Sequence, residues 1–127
     1  MRIYALGQDR YWLATIKNIE VKNAVFKIIQ CPAGLLECLD YLPAPEEGSL
    51  ILLDASGQAD VEAMVRRLRD QGWRYVIVVA ADQNAKKAIA VLRRNLAFDY
   101  WEKTYDIPPI QARIARSIDE ISRDRET

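Results

Sequence analysis

Two uninterrupted apolar runs constrain this chain most. Leu50-Ile-Leu-Leu53 and Tyr75-Val-Ile-Val-Val79 hold no charged or amide side chain at alternate positions. A strand with one face in water alternates apolar and polar residues, so short continuous runs like these describe strands covered on both faces. Such strands belong to parallel sheets packed between helices. The segment joining the two runs has the helix that a parallel crossover needs. Asp60 is a good N-cap, Val61, Met64, Val65 and Leu68 recur at helical spacing, and Gly72 follows as a stop.

The rest of the chain repeats this alternation. Ile3 to Leu6 is a first strand ended by Gly7, and a helix begins near Asp9, which is its N-cap or lies in its first turn. Trp12, Leu13, Ile16 and Ile19 share one face of that helix. Val25 to Cys31 is a second strand stopped by Pro32, with a short helix through Leu35, Leu36 and Leu39 and a surface loop from Pro43 to Ser49. Asp82 or Asn84 caps a fourth helix that turns Ala85, Ala88, Ile89 and Leu92 inward. Ala97 to Trp101 is a last strand. Asp106 caps a final helix with Pro108 and Pro109 in its first turn and Ile110, Ile114, Ile118 and Ile121 on its apolar face. Five strand–helix units joined by right-handed crossovers predict an α/β fold: a three-layer α/β/α sandwich on a five-stranded parallel sheet, flavodoxin-like, with strand order 2-1-3-4-5. The charged stretch from Ser122 to Thr127 reads as a fraying end, so one domain is expected over residues 1–122, with 123–127 as a tail or the start of a linker.

Composition narrows the function. Half the residues are apolar, and 18 basic residues balance 18 acidic ones, which leaves no electrostatic footprint for nucleic acid or an anionic membrane. There is no histidine, which excludes imidazole bases, His-ligated metals and a histidine phosphodonor within the chain. Cys31 and Cys38 lie too far apart for a CxxC motif and are read as buried free thiols of a reducing cytosol. The opening apolar run is too short for a signal peptide or a membrane span, so a cytoplasmic, soluble chain is expected. Trp12 and Trp73 are core aromatics in this reading, and Trp101 is expected as an exposed contact that points away from Tyr100.

Ligand sites in doubly wound folds gather at the carboxyl ends of the strands. That rule selects Gly7, Gln8 and Asp9, then Asp54, then Ala80, Ala81 and Asp82, and finally Lys103. Leu50-Ile-Leu-Leu-Asp54, Val76-Ile-Val-Val-Ala-Ala-Asp82 and Ala97-Phe-Asp-Tyr-Trp-Glu-Lys103 together resemble the receiver domain of response regulators over nearly the whole chain. The resemblance implies that Asp54 is the phosphoacceptor position and that Lys103 pairs with the phosphoryl group or with Asp54. It makes positions 80 and 100, here Ala80 and Tyr100, the switch pair. It also implies a Mg²⁺ held by Asp54 and an acidic pair after the first strand.

The sequence departs from that pattern where the chemistry is done. Gly7 and Gln8 stand at the acidic pair, leaving Asp9 and Asp54 as the candidate metal ligands. Ala80 has no switch hydroxyl, Thr104 replaces the proline after the lysine, and Ala55-Ser-Gly-Gln58 lacks the usual Met-Pro. The first reading is therefore a pseudo-receiver: a non-enzymatic regulatory module with no cofactor, acting through a protein partner. The partner is a sensor kinase, an output domain, or a second copy held through the surface of the fourth helix, fifth strand and fifth helix near Arg93, Arg94, Asp99, Glu102 and Arg113. No membrane or direct nucleic-acid contact is expected. A working atypical phosphoacceptor, such as the N-terminal domain of a transcription regulator, is the second reading. A flavodoxin-like small-ligand binder or enzyme is the third.

Overall fold

The computed structural model describes all residues except Ala33, Asp82, Gln83 and Thr127. Strands and helices alternate as β1 (Arg2–Gly7), α1 (Arg10–Lys17), β2 (Val25–Gln30), α2 (Leu35–Cys38), β3 (Leu50–Asp54), α3 (Val61–Asp70), β4 (Tyr75–Ala80), α4 (Ala85–Arg93), β5 (Asp99–Glu102) and α5 (Ile107–Glu126). A 3-10 turn over Leu39–Tyr41 extends α2. All strand pairs are parallel and the sheet order is β2-β1-β3-β4-β5, the flavodoxin-like three-layer arrangement.

The continuous apolar runs end up where their patterning requires. Every residue of β3 and β4 is buried. Their side chains divide by pleat into two cores. Ile51, Leu53, Val76 and Val78 pack on one face with Leu35, Val65, Leu68 and Ala88 from α2, α3 and α4. Leu50, Leu52, Ile77 and Val79 pack on the other with Trp12, Ile16, Ile110 and Ile114 from α1 and α5. Each fully buried aliphatic or aromatic side chain contributes about 1.5–3 kcal/mol to stability.

Caps and phases depart from the sequence expectations at several points. Asp60 caps α3 by accepting from the Ala63 amide at 3.0 Å. Asn84 sits at the start of α4 but does not cap it, because its side chain donates instead to the carbonyls of Ala55 at 2.6 Å and Gln58 at 3.1 Å. In the helix that follows, Ala88 and Val91 are buried and Ile89 is only partly so. Asp82, the other cap expected there, lies outside the described residues. Leu35 and Leu39 are buried, whereas Leu36 faces outward, since a single turn has only one covered side. Strand β5 starts at Asp99 and ends at Glu102, two residues later at its start than the apolar pattern suggests and one later at its end.

Three expectations are corrected outright. Trp101 is not an exposed contact: it is 4% exposed, in the core that α1 and α5 cover, and its Nε1 donates to Asp99 at 3.3 Å. Residues Ser122 to Glu126 do not fray but complete α5. Asp124 accepts from the Tyr75 hydroxyl at 2.6 Å and pairs with Arg74 at 2.9 Å, and Arg125 pairs with Glu47 at 3.2 Å. Cys31 and Cys38 are not free thiols; they are joined as a disulfide, because α2 returns beside the end of β2 and brings their Cα atoms within 5.9 Å. No described helix is long and apolar enough to cross a membrane.

Candidate functional site

Asp54 ends β3, and its side chain is almost wholly enclosed. Its Oδ1 accepts from the Ser56 amide at 3.1 Å, and its Oδ2 lies 2.8 Å from Lys103 Nζ. Lys103 leaves the end of β5, where its amide donates to the Ala80 carbonyl at 2.9 Å and fixes the side chain's point of departure. Two strand ends thus aim an acid and a base at one point.

A second acid meets them there. Asp9 is the N-cap of α1: its Oδ1 accepts from the Tyr11 amide at 3.0 Å and the Trp12 amide at 3.2 Å. Its Oδ2 lies 2.9 Å from Lys103 Nζ and also accepts from the Tyr105 hydroxyl. The Lys103 ammonium is therefore shared between Asp9 and Asp54, 5.6 Å from the centre of the Tyr105 ring, with only 9% of its side chain exposed. Charge-assisted bonds of this kind are about twice as strong as neutral ones. Burial pushes the Asp9 carboxyl up, but the hydrogen bonds from Tyr105, Lys103 and the Trp12 amide, with the lysine's charge, outweigh it and hold the group at about 2. Burial likewise works against the Lys103 ammonium, and the bonds to Asp54 and Asp9 more than reverse it, leaving the lysine above its ordinary value. The Tyr105 hydroxyl is also raised, first by its bond to Asp9 and then by burial.

Gly7 and Gln8, where the resemblance leads one to expect an acidic pair, have structural uses. Gly7 ends β1 against Asp54: a Cβ placed on it would stand 3.0 Å from Asp54 Cβ. Gln8 accepts from Gln58 Nε2 at 2.8 Å, which ties the loop after β1 to the loop after β3. That second loop is pinned further by Asn84 and by Lys87, whose Nζ donates to the Ala59 carbonyl at 3.1 Å. The two positions expected as a switch pair share a face: Ala80 is buried and Tyr100 half-buried, both on the side of α3 and α4. A hydroxyl does reach this corner, from another element, as Ser56 Oγ accepts from the Ala81 amide at 3.0 Å.

The site also shows what sequence reasoning overlooked. Tyr105 and Ser56 shape it, yet neither stands at a patterned position, and Asn84, read only as a helix cap, ties the loop after β3 instead. Among the described residues no three acidic, cysteine or histidine side chains gather as a metal would require. The two available carboxylates already share one ammonium through their Oδ2 atoms. A hard divalent cation takes six or more oxygen ligands and needs anionic charge to offset its own. With neutral residues at positions 7 and 8, this donor set does not fit Mg²⁺.

The strand order, the two-sided sheet and the acid–lysine meeting point define a receiver-like fold. The response regulator LqsR of Legionella pneumophila, a solved structure, matches it with a TM-score of 0.62 at 16% sequence identity, over 94% of this chain and 43% of that one. The chain thus spans less than half the length of that protein, and the likeness is one of fold. No protein-family model matches the sequence, and no curated protein matches it either.

Proposed function

We propose that the chain is a receiver-like regulatory module that acts through protein–protein contact, with its phosphorylation site degraded and no enzymatic activity of its own. The observation that carries this reading is the Lys103 ammonium bridging Asp54 and Asp9 at 2.8 and 2.9 Å. A carboxylate that attacks a phosphoryl group needs a cation with charge to spare that draws the two anions together. Here Asp54 gives one oxygen to the Ser56 amide and the other to Lys103, and the lysine's charge is already matched. The partner is a sensor kinase, an output domain or a second copy. In the surface of α4, β5 and α5, Arg94 pairs with Glu62 and Arg113 donates to the Glu102 carbonyl, whereas Lys86, Arg93 and the Glu102 carboxylate are exposed charges without such a bond among the described residues. The proposed location is the cytoplasm, where dithiol systems would hold Cys31 and Cys38 reduced or cycle them. Trapping thiols by alkylation at lysis and weighing the protein tests that.

A working phosphoacceptor is the second reading, favoured by the retained placement of Asp54 and Lys103 at the ends of β3 and β5. One titration separates the two. Wild type and Asp54→Asn are treated with Mg²⁺ and beryllofluoride and followed by amide NMR. The pseudo-receiver reading expects no saturable shift near Asp54. A shift seen in wild type and absent from Asp54→Asn would replace it with the second reading.

A further inference from the structure

The sheet has two outer edges, and they are not alike. Strand β5 is four residues long and begins and ends on an acid, Asp99 and Glu102. Shortness and charge are the usual devices by which a protein keeps an edge from pairing with another chain. Strand β2, on the opposite edge, has little of either. It runs for six residues, Val-Phe-Lys-Ile-Ile-Gln, with a single charge, no proline and an unbroken register against β1. Val25 is 55% exposed, and Phe26, Ile28 and Ile29 are only partly buried against the two cores.

The hydrogen-bond phase of β2 fixes what can pair with it. In a ladder the N–H and C=O of one residue point the same way, and alternate residues point opposite ways. The Val25 amide donates to the Met1 carbonyl and the Cys31 amide to the Gly7 carbonyl, both at 2.9 Å. Val25, Lys27, Ile29 and Cys31 therefore bond inward to β1, while Phe26, Ile28 and Gln30 turn their N–H and C=O groups outward. Among the described residues nothing bonds those outward groups.

A second copy on a two-fold axis presents the same edge in reverse order. Outward residues then meet outward residues when the axis passes through a residue of the strand. With the axis at Ile28, Ile28 faces its own copy and Phe26 faces Gln30, so every outward N–H and C=O is engaged. Lys27 falls opposite Ile29, and no like charges meet. With the axis at Lys27, the two lysines stand face to face, which is destabilising, and Gln30 is left over. With the axis at Ile29, Phe26 is left over. The edge thus matches itself best in one register.

We propose that β2 pairs antiparallel with β2 of a second copy, centred on Ile28, and joins the two sheets into one. An edge of six residues is a small interface, so the dimer is weak and reversible. It uses neither the groups around Asp54 nor the surface of α4, β5 and α5, so it stands or falls apart from the regulatory reading.

Sedimentation equilibrium of the full chain, from micromolar to millimolar concentration, should show monomer and dimer in exchange. Amide hydrogen exchange at the two ends of that range should slow at Phe26, Ile28 and Gln30 on concentration and stay unchanged at Lys27 and Ile29, which already bond to β1. In a mixture of ¹³C-labelled and unlabelled chains, the Hα of Lys27 should contact the Hα of Ile29 in the other copy, as a non-hydrogen-bonded pair does. Gln30→Pro removes an outward donor from an exposed residue, spares the ladder to β1, and should weaken the dimer about tenfold or more. Ile28→Lys sets like charges on the axis and should abolish it. The exchange and contact measurements on wild type serve if either variant is unstable. A chain that is monomeric at millimolar concentration, a dimer as strong in a folded Gln30→Pro, or slowed exchange on α4 and α5 in place of β2 would overturn the assignment. So would protection of the β2 edge that appears only when an extended peptide of another sequence is added.

Discussion

The two ends of β3 lie roughly 13 Å apart, four steps of strand rise, and they treat their polar residues in opposite ways. At the carboxyl end, Asp54 meets Lys103, Lys103 also meets Asp9, and Asp9 caps a helix and takes a tyrosine hydroxyl. At the amino end, the buried Trp73 indole N–H has no partner, and the Ser49 hydroxyl makes no hydrogen bond, among the described residues. The end that carries reactive residue types is internally satisfied, and the end that carries ordinary ones is not. Reactivity depends on what a group still lacks, which residue identity alone does not reveal.

Variants at each end sharpen that contrast, and the largest effect belongs to the satisfied end. Lys103→Met leaves the enclosed Asp54 carboxylate unpaired and should lower stability by about 3 kcal/mol or more in urea denaturation. A loss under about 1 kcal/mol would show that the bridge is not holding the strand ends together.

Asp9→Asn comes next, because asparagine caps a helix as well as aspartate and so isolates the charge. The folded carboxyl sits at about 2 against 3.8 when free. A depressed value stabilises the fold above the free pKa, and that contribution is lost as pH falls from 3.8 through 2. It amounts to about 2 kcal/mol. Wild type should therefore exceed Asp9→Asn by that margin above pH 4, and the two urea midpoints should converge in stronger acid. Lys103 has the opposite sign: its contribution is complete below 10.5 and declines only at higher pH. An alkaline transition starting well below 10.5 would contradict the bridge.

Tyr105→Phe removes one hydrogen bond from Asp9 and should cost about 1 kcal/mol, with the Asp9 carboxyl moving up toward 3.8 in a carbon-detected NMR titration. The smallest effect belongs to the unsatisfied end. Ser49→Ala deletes a hydroxyl that bonds nothing and should change stability by no more than about 0.5 kcal/mol. A larger loss would mean that the hydroxyl has a partner after all, and the contrast between the ends would fail.

Much of the fold was legible because continuous apolar strands and well-capped helices depend on local pattern. The runs at Leu50 and Tyr75 announced a two-sided sheet, and Asp60 marked its helix. What pattern could not supply was the choice between neighbours made by distant contacts. Ala88 faces the core as expected, but Val91 joins it in place of Ile89, and Asn84 is drawn to the Ala55 carbonyl, 29 residues away, where a cap was expected. Tyr105 meets Asp9 across 96 positions. The half-polar strand Asp-Tyr-Trp-Glu hid the burial of Trp101, which follows from the cover given by α5. Cysteines seven apart carry no local sign of pairing, and only the return of α2 beside β2 joins them. The positions of Asp54 and Asp9 at one strand-end cluster could be read from the sequence. That both would share the Lys103 ammonium could not.

Gly7 has a consequence for how this site could ever change. Its missing side chain is the space in which Asp54 sits, with only 3.0 Å left for a first carbon. An acidic residue restored there would bring the charge a metal wants and, in the same step, crowd the carboxylate that metal should serve. Neither repair works alone: charge without room costs packing, and room without charge leaves the ammonium in command.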